Sequence, residues 1–347
     1  MPTKSLKPTI VDVAKMAECS VATVSRVLNG KDCSQKMERK IRDAVLKGGY
    51  TPIRKRKIRK VAGQGSGLKH RAVTLLWSAS RSLSLTGQNL LQGLADGLRA
   101  DGITLNVDYL DANGRIPSIL ETGLVDGFFV HGMPPDKTIL TMLRKFPVVW
   151  LFQQGSHDFG DRVQPDHIRI GELAANYFHQ KKFKRVCCLS SKKREMSSVL
   201  KARTSGFFAE AAALGLTVDL IETEGEVDPM VIQMSGAEVL RDAAAAAAAF
   251  TKLSPRPEGV YVANHLGVFF HMELTKLGIT PMKDVCLIAG DTSACAQYPL
   301  GPEPITIRIF SQKIGQLGAL RLRERIEHPE LPETTTLVKP RLHIPAE

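Results

Sequence analysis

The sequence predicts two different folds in one chain, a small all-α domain at the N-terminus and a larger α/β body that is too long for one sheet. The first fifty residues hold three short segments in which apolar side chains recur at helical spacing. From Ala72 onward, short β-forming runs alternate with helix-length segments, which is typical of parallel βαβ units. The length of 347 residues also exceeds that of a single typical domain.

The first two predicted helices are short and are joined by a tight turn. Thr9 is placed to N-cap the first helix, with Asp12 three residues later as in a capping box. Ser20 is placed to cap the second helix, and a third helix is predicted from Ser34 to Gly48. In a helix-turn-helix, the second helix enters the major groove of DNA with its first turns at the base edges. The outward positions of this helix are Val21, Ala22, Ser25 and Arg26.

The positive charge of the chain is concentrated in its N-terminal part. Residues 1–71 contain 18 Lys and Arg residues against 5 Asp and Glu residues, whereas the rest of the chain contains 29 basic and 30 acidic residues. A basic domain on a nearly neutral body favours double-stranded DNA as the partner over a membrane or a general polyanion binder.

The body is predicted to contain at least eight strands with helices between them. The predicted helices in its first two thirds cover 90–100, 170–180 and 200–214. The predicted strands cover 72–77, 103–109, 127–130, 148–152, 185–189, 218–222, 259–262 and 284–288.

The N-terminal pattern is specific enough to indicate a family. It combines Thr-Ile-x-Asp-Val-Ala from Thr9, Ser-x-x-Thr-Val-Ser-Arg-Val-Leu-Asn from Ser20, and Tyr-Thr-Pro from Tyr50. This pattern resembles the lac-repressor (LacI/GalR) family, with Cys19 in place of the usual valine. The rest of the chain, to about Arg341, is similar to the two-lobed, periplasmic-binding-protein-like effector domain of that family, although its individual motifs are weaker.

The resemblance implies three regions. They are a helix-turn-helix head at 1–52, a basic hinge and linker at 53–70, and an effector-binding and dimerisation domain at 71–347. The first lobe is expected at about 71–166 and 302–329, and the second at about 167–301 and 330–347. The chain would then cross between the lobes near Asp166, Gly301 and Pro329. Dimerisation through the body would pair two heads on a near-palindromic operator.

Several residues of the head are candidates for DNA contact. Arg26 is the first candidate for a base contact, because a guanidinium bridges O6 and N7 of guanine; a phosphate contact is the alternative. Val21 and Ala22 offer only apolar contact, for example to a thymine methyl group. The hydroxyl and amide side chains are expected to bind phosphates or to cap helices, and they are Thr9, Ser20, Thr23, Ser25 and Asn29.

The hinge departs from the family pattern. Relatives usually place a leucine, which wedges into the minor groove, where this chain has Arg59, and Ile58 lies one position away. Two interpretations stay open. Either Ile58 acts as the wedge in a shifted register, or Arg54, Arg56 and Arg59 hold the groove electrostatically.

Three residues match the family's effector-contact positions, namely Arg203, Asn264 and Asp291. Arg203 would clamp a hydroxyl pair or a carboxylate, and the two others would hydrogen-bond sugar hydroxyls; a surface arginine and loop-capping side chains are the alternatives. Phe152 stands where sugar-binding relatives often have an aspartate. Together with Trp150, it predicts an aromatic cleft with few carboxylates, in which aromatic faces would stack on a sugar ring.

The function expected from these features is that of a ligand-controlled, sequence-specific repressor of carbohydrate-utilisation genes. The alternative is a constitutive or architectural DNA-binding protein with a non-functional effector pocket. An enzyme is not expected, because the sequence lacks a nucleophile elbow, a phosphate-binding loop and a dinucleotide fingerprint. No metal site or cofactor is predicted. Without a signal peptide or a bilayer-spanning apolar run, a cytoplasmic protein with reduced thiols is expected.

Overall fold

The computed structural model describes residues 9–28, 34–48, 67–78, 85–110, 115–132, 135–152, 158–192, 197–225, 236–264, 266–289 and 303–345. The chain divides into two compact units, residues 1–65 and residues 66–347. These two units are described separately below.

The described residues of the N-terminal unit form three helices around one small apolar core. They are α1 (Ile10–Met16), α2 (Val21–Leu28) and α3 (Gln35–Gly48). Thr9 and Asp12 form the predicted capping box at the start of α1. Ser20 accepts a hydrogen bond from the backbone N–H of Thr23 at 3.1 Å, as a helix cap does. The core is formed by one apolar stripe from each helix, namely Val13, Ala14, Ala17, Val24, Ile41 and Ala44.

The described residues of the body form two six-stranded sheets. The first has the order β11-β5-β4-β3-β1-β2, and the second has the order β12-β10-β9-β8-β6-β7. Neighbouring strands are parallel except for β10 and β12. The strands are β1 (Ala72–Ser78), β2 (Thr104–Tyr109), β3 (Gly127–Gly132), β4 (Val148–Leu151), β5 (Asp161–Pro165), β6 (Arg185–Ser191), β7 (Thr217–Thr223), β8 (Gly259–Val262), β9 (Cys286–Ala289), β10 (Ile305–Arg308), β11 (Thr335–Val338) and β12 (Arg341–His343).

Eight helices connect these strands in the described part of the body. Helices α4 and α11 pack against each other beside the first sheet, and α7 and α8 pack against each other beside the second. The helices are α4 (Leu85–Arg99), α5 (Ser118–Thr122), α6 (Lys137–Leu143), α7 (His167–Gln180), α8 (Ser198–Ala213), α9 (Gly236–Thr251), α10 (Gly267–Lys276) and α11 (Ser311–Glu327).

The strand order corrects two of the three predicted crossings between the lobes. The chain leaves the first sheet after β5 and enters α7 at His167. It returns after β10, at Ile309 and Phe310, and not near Gly301, because β10 pairs with β9 in the second sheet. It crosses again at Lys339 and Pro340, and not near Pro329, because β11 pairs with β5 in the first sheet. The segments 303–308 and 330–338 therefore belong to the lobes opposite to those predicted.

Two strand ends also differ from the sequence expectation for local reasons. Strand β4 ends at Leu151, because Phe152 adopts a left-handed backbone with φ of 51° that cannot continue a strand. Strand β9 begins at Cys286 and not at Asp284, because the Asp284 carboxylate accepts the backbone N–H of Thr280 at 2.7 Å and holds a turn.

The helix pair of the second lobe packs with its backbones in contact. A Cβ on Gly171 in α7 would lie 2.1 Å from the backbone oxygen of Arg203, and a Cβ on Gly206 in α8 would lie 2.2 Å from that of Ile168. Only glycine at both positions permits this approach. Gly93 in α4 and Gly315 in α11 make the corresponding close contact in the first lobe.

A fully buried carboxylate ties α11 to the first sheet. Asp161 is 0 % exposed, and its oxygens lie 2.9 Å from Nε of Arg325 and 2.8 Å from Nε of Arg321. The backbone N–H of Thr334 donates to the same carboxylate at 2.8 Å. Burial favours the neutral acid, but the hydrogen bonds and positive charges of these partners outweigh it and lower the pKa of Asp161.

We predict that Asp161→Asn destabilises the body strongly, because the substitution leaves the buried Arg325 guanidinium without its counter-charge and leaves Arg321 with Glu324 as its ion-pair partner. The expected loss in the free energy of unfolding is about 3–5 kcal/mol, measured by urea denaturation. Asp158→Asn is the control: its exposed ion pair with Arg144 predicts a loss below about 1 kcal/mol. Equal losses in the two variants would contradict a central role for Asp161.

Candidate DNA-binding surface and effector cleft

The outer face of α2 is open to solvent. Val21 is 40 % exposed, Ala22 and Arg26 are exposed, and Ser25 is half-buried. On the inner face of α2, Val24 is fully buried and packs in the apolar core of the N-terminal unit. The helix therefore presents a small apolar patch followed by one guanidinium. An apolar patch suits contact with a thymine methyl group, and a guanidinium suits hydrogen bonds to the edge of a guanine.

The hydroxyl side chains around this helix already have partners within the N-terminal unit. Thr9 donates to the Asp12 carboxylate at 2.7 Å, and the Ser20 and Thr23 hydroxyls lie 2.9 Å apart. All three residues therefore define the helix ends. A DNA phosphate can therefore use only the hydrogen-bonding capacity of these hydroxyls that the contacts within the unit leave free.

Several predicted site residues lie outside the described residues. They are Asn29 in the head, Arg54, Arg56, Ile58 and Arg59 in the hinge, and Asp291 in the body.

The topology of the body brings the carboxyl ends of both sheets to one junction. The first crossing leaves the carboxyl end of β5, and the helix that follows it, α7, leads into the amino end of β6 in the second sheet. The second crossing leaves the carboxyl end of β10 and enters α11, which packs on the first lobe. One apolar cluster includes Trp77 and Phe152 from the first lobe and Tyr261 and Ala263 from the second. Ligands of parallel α/β sheets bind at such carboxyl ends.

The first lobe contributes an aromatic cluster to this junction. The rings of Trp77, at the end of β1, and His131, at the end of β3, stack with centroids 4.1 Å apart. Phe152 meets His131 edge-on at 5.8 Å. All three residues are at most 2 % exposed. Burial lowers the pKa of His131 from its ordinary value of 6.5 to about 3, so the imidazole is neutral at physiological pH.

The second lobe contributes Arg203, which bridges two elements. Its Nε donates to Nδ1 of His167 at 3.4 Å, and its Nη1 donates to the backbone oxygen of Ala263 at 3.2 Å. His167 begins α7 at the first crossing, and Ala263 directly follows β8. Burial, together with the Arg203 charge, lowers the pKa of His167 well below its ordinary value. Arg203 therefore links the crossing to the carboxyl edge of the second sheet.

The other predicted effector contacts have more local roles in the structure. Asn264 is 4 % exposed and accepts the backbone N–H of Leu266 at 3.1 Å, which caps the turn before α10. Trp150 packs in the core cluster of the first lobe away from Phe152, and its indole N–H donates to the Phe159 carbonyl at 2.7 Å. The structure thus places Arg203 and Asn264 at one sheet edge and gives Trp150 a packing role.

Buried polar atoms without a hydrogen-bond partner among the described residues collect at the same junction. They include Nε1 of Trp77, both ring nitrogens of His131, Nε2 of His167, the Ser190 hydroxyl and the Tyr261 hydroxyl. An unsatisfied buried polar group costs about 1–3 kcal/mol, so a set of them at one place favours a site that receives a polar ligand.

Sequence analysis missed His131 and His167 as site residues. His131 follows the buried run Phe128, Phe129 and Val130, and a polar residue that ends such a run at the carboxyl edge of a strand is a usable signal. For His167 the signal is weaker, because its role depends on Arg203, which lies 36 residues away.

Two family models match the chain. The model described as bacterial regulatory proteins of the lacI family matches residues 9–52, and that of a periplasmic binding protein-like domain matches residues 175–344. The HTH-type transcriptional repressor PurR of Photobacterium profundum is 22 % identical, with 92 % of each chain covered. PurR of Vibrio cholerae is 24 % identical, with 95 % of this chain and 98 % of that protein covered.

Solved structures share the architecture. A LacI-family regulator from Silicibacter pomeroyi has a TM-score of 0.68 at 19 % identity, covering 97 % of this chain and 98 % of that chain. The lac repressor dimer bound to operator and the anti-inducer ONPF has a TM-score of 0.63 at 17 % identity over the same shares. The fold and site thus define a transcriptional regulator with a helix-turn-helix and a two-lobed ligand-binding body. The chain belongs to the lacI family of bacterial regulatory proteins.

Two further observations concern the described residues as a whole. None of the helices in this part of the chain has the length and apolar character needed to span a bilayer. Cys187 is buried and Cys286 is half-buried, and burial raises the pKa of each thiol to about 12, so both stay in the thiol form.

We predict that His131 makes the protein less stable in acid. Because its pKa is about 3 in the folded state and 6.5 when exposed, the unfolded chain binds the proton first as the pH falls below 6.5. Stability is then lost between pH 6.5 and 3, at up to about 1.4 kcal/mol per pH unit. His131→Leu should remove that part of the slope of unfolding free energy against pH. His179→Leu is the matched substitution at an exposed position, and equal slopes in the two variants would contradict the assignment.

Proposed function

We propose that this protein is a ligand-controlled repressor of carbohydrate-utilisation genes that binds a near-palindromic operator as a homodimer. The observation on which the ligand control rests is the set of unpartnered buried polar atoms around the Arg203 bridge, at the junction of the two lobes. The DNA function rests on the exposed outer face of α2, together with the basic charge of the N-terminal region.

Arg26 is the proposed base-reading residue of the head. It is exposed on the last turn of α2, beyond the apolar Val21 and Ala22. Two heads in a dimer would present this guanidinium twice, once to each half of the operator.

Arg26→Ala should weaken binding to the preferred operator by about 1–3 kcal/mol and relax specificity at one base pair of each half-site. The measurement is selection of bound fragments from a random DNA pool, followed by titration of the recovered site. Arg42→Ala is the control, because Arg42 is exposed on α3 and paired with Glu38 at 2.5 Å. If Arg26→Ala weakens binding to all sequences equally, Arg26 is a phosphate contact.

The chemistry of the junction favours a sugar or a sugar derivative. The stacked Trp77 and His131 rings form an aromatic wall. Neutral His167 and Tyr261 offer hydrogen-bonding atoms beside it. Arg203 adds one permanent charge, which suits vicinal hydroxyls or a carboxylate. Solved relatives that carry sugars include a CelR–cellobiose complex and a regulator from Enterococcus faecium with bound ribose, at TM-scores of 0.62 and 0.63.

Control of DNA binding would follow from a population shift. A ligand that contacts both lobes stabilises one lobe arrangement over another by its difference in affinity for the two. In a dimer, that shift changes the spacing of the two heads and hence the affinity for the operator. The Arg203 bridge is suited to this task, since it joins the first crossing to the second sheet.

We predict that Arg203→Lys abolishes the response to ligand and leaves operator binding intact, because lysine keeps the charge and loses the forked geometry. Thermal unfolding is first followed with a panel of ribose, glucose, cellobiose, gluconate and glucose 6-phosphate. A ligand at 100 times its Kd raises the unfolding free energy of the wild type by about 2.7 kcal/mol.

The matched control is Arg185→Lys, whose guanidinium pairs with Asp219 at the amino end of β6. It should keep the ligand-induced shift. A full shift in Arg203→Lys would remove Arg203 from the site. If none of the five compounds stabilises the wild type, while a palindrome is still selected, the constitutive DNA-binding function replaces the ligand-controlled one.

A further inference from the structure

A second concave site lies where all three crossings between the lobes meet. Its volume is about 820 Å³. Asp166 from the first crossing, Phe310 from the second, and Lys339 and Pro340 from the third all line it. This volume lies in the range of small-molecule sites, roughly 300–1,000 Å³.

The lining of this crossing cavity is strongly basic. The lining contains one carboxylate and four cationic side chains. The carboxylate is that of Asp166, and the cations are Arg169, Lys313, Lys339 and Arg341. Asp166 is already engaged as the N-cap of α7, where it accepts the backbone N–H of Arg169 at 3.0 Å. The Arg169 guanidinium pairs with Glu172 at 2.7 Å. Within the described parts of the chain, no carboxylate forms an ion pair with the other three cations.

The amino end of α11 adds further positive potential to the cavity. Phe310, its N-cap residue, has a left-handed backbone with φ of 55° and provides no side-chain cap. Among the described residues, the backbone N–H groups of the first turn of this 17-residue helix therefore receive no cap from the N-cap side chain, and they lie beside Lys313. The Arg341 guanidinium lies over the Phe310 ring at 5.9 Å, which holds a cation next to an aromatic face.

The crossing cavity is separate from the effector cleft. Asp166, Arg169 and Leu173 lie three and four residues apart and so share one face at the amino end of α7. A different face of α7 carries buried residues, including His167, Ile170 and Ala174, and it is there that His167 meets Arg203. Neither Arg203 nor a ring of the aromatic wall lines the cavity.

We propose that the crossing cavity binds a phosphorylated small organic molecule as a second ligand. Three cations that pair with no described carboxylate, together with a helix terminus whose N-cap residue gives no side-chain cap, suit a phosphate group. The apolar side chains of Leu173, Val338 and Pro340 suit an attached organic part. Because every crossing contributes to the lining, the ligand senses the lobe arrangement. It therefore couples to any effector that acts on the same arrangement.

The test uses inorganic pyrophosphate as the probe and the full-length protein. Its Kd is measured by isothermal titration calorimetry in phosphate-free buffer at physiological salt. The triple variant Lys313→Gln, Lys339→Gln and Arg341→Gln should bind pyrophosphate at least tenfold more weakly than the wild type. Hydrogen exchange should show that pyrophosphate slows exchange at residues 311–314 of the wild type and not of this variant.

The control carries the same loss of charge elsewhere on the body, in Lys145→Gln, Lys252→Gln and Lys283→Gln, all of which are exposed. It should keep the wild-type Kd within twofold, which separates the cavity from the overall charge and from the basic head. Equal affinity in the two triple variants, or no protection at 311–314, would overturn the proposal. Lys339→Gln alone, a change in an exposed connection, gives the same comparison if the triple variant fails to fold.

Discussion

The second lobe depends on a contact between two helix backbones. Gly171 and Gly206 let α7 and α8 approach until a single added methyl group on either would meet the carbonyl of the other helix. This approach sets the position of Arg203, one turn before Gly206, relative to His167, one turn before Gly171. A larger residue at either glycine would force the helices apart, at a cost of about 1–3 kcal/mol in an overpacked core. It would also move the guanidinium away from its two acceptors.

The first lobe is built on the same physical plan with different chemistry around it. Gly93 and Gly315 bring α4 and α11 into similar contact, and the Asp161 carboxylate then anchors α11 to the sheet through Arg325 and Arg321. A fully buried charge is stable there only because two guanidinium groups and a backbone N–H satisfy it. Helix α11, which this anchor holds on the first lobe, begins at the second crossing.

The junction between the lobes combines rigidity with neutral polar groups. Burial keeps His131 uncharged, and burial with the neighbouring guanidinium does the same for His167, so Arg203 is the permanent charge among them. A neutral imidazole has one donor and one acceptor nitrogen, which matches the hydroxyl groups of a carbohydrate. The crossing cavity differs from this junction because several cations and the amino end of α11 line it. The two sites therefore suit ligands of different charge while contacting the same connections.

The sequence by itself determined the head, because its signals are local. Thr9 with Asp12, Ser20 with Thr23, and the apolar spacing of Val13, Ala14 and Ala17 act within a few residues, and the structure confirms the caps and the core. The sequence also determined the two-part architecture and most strands of the body, because buried parallel strands appear as apolar runs between helices.

The tertiary structure alone decided which sheet each late strand joins. Short segments such as Ile305–Arg308 and Thr335–Val338 carry little periodicity, and their partners lie far away in the chain, so the predicted crossings near Gly301 and Pro329 were wrong. It also decided that Trp150 is a core residue and that His131 and His167 belong to the junction. Those roles depend on contacts between residues that are distant in sequence, and a pattern that is read along the chain holds no record of such contacts.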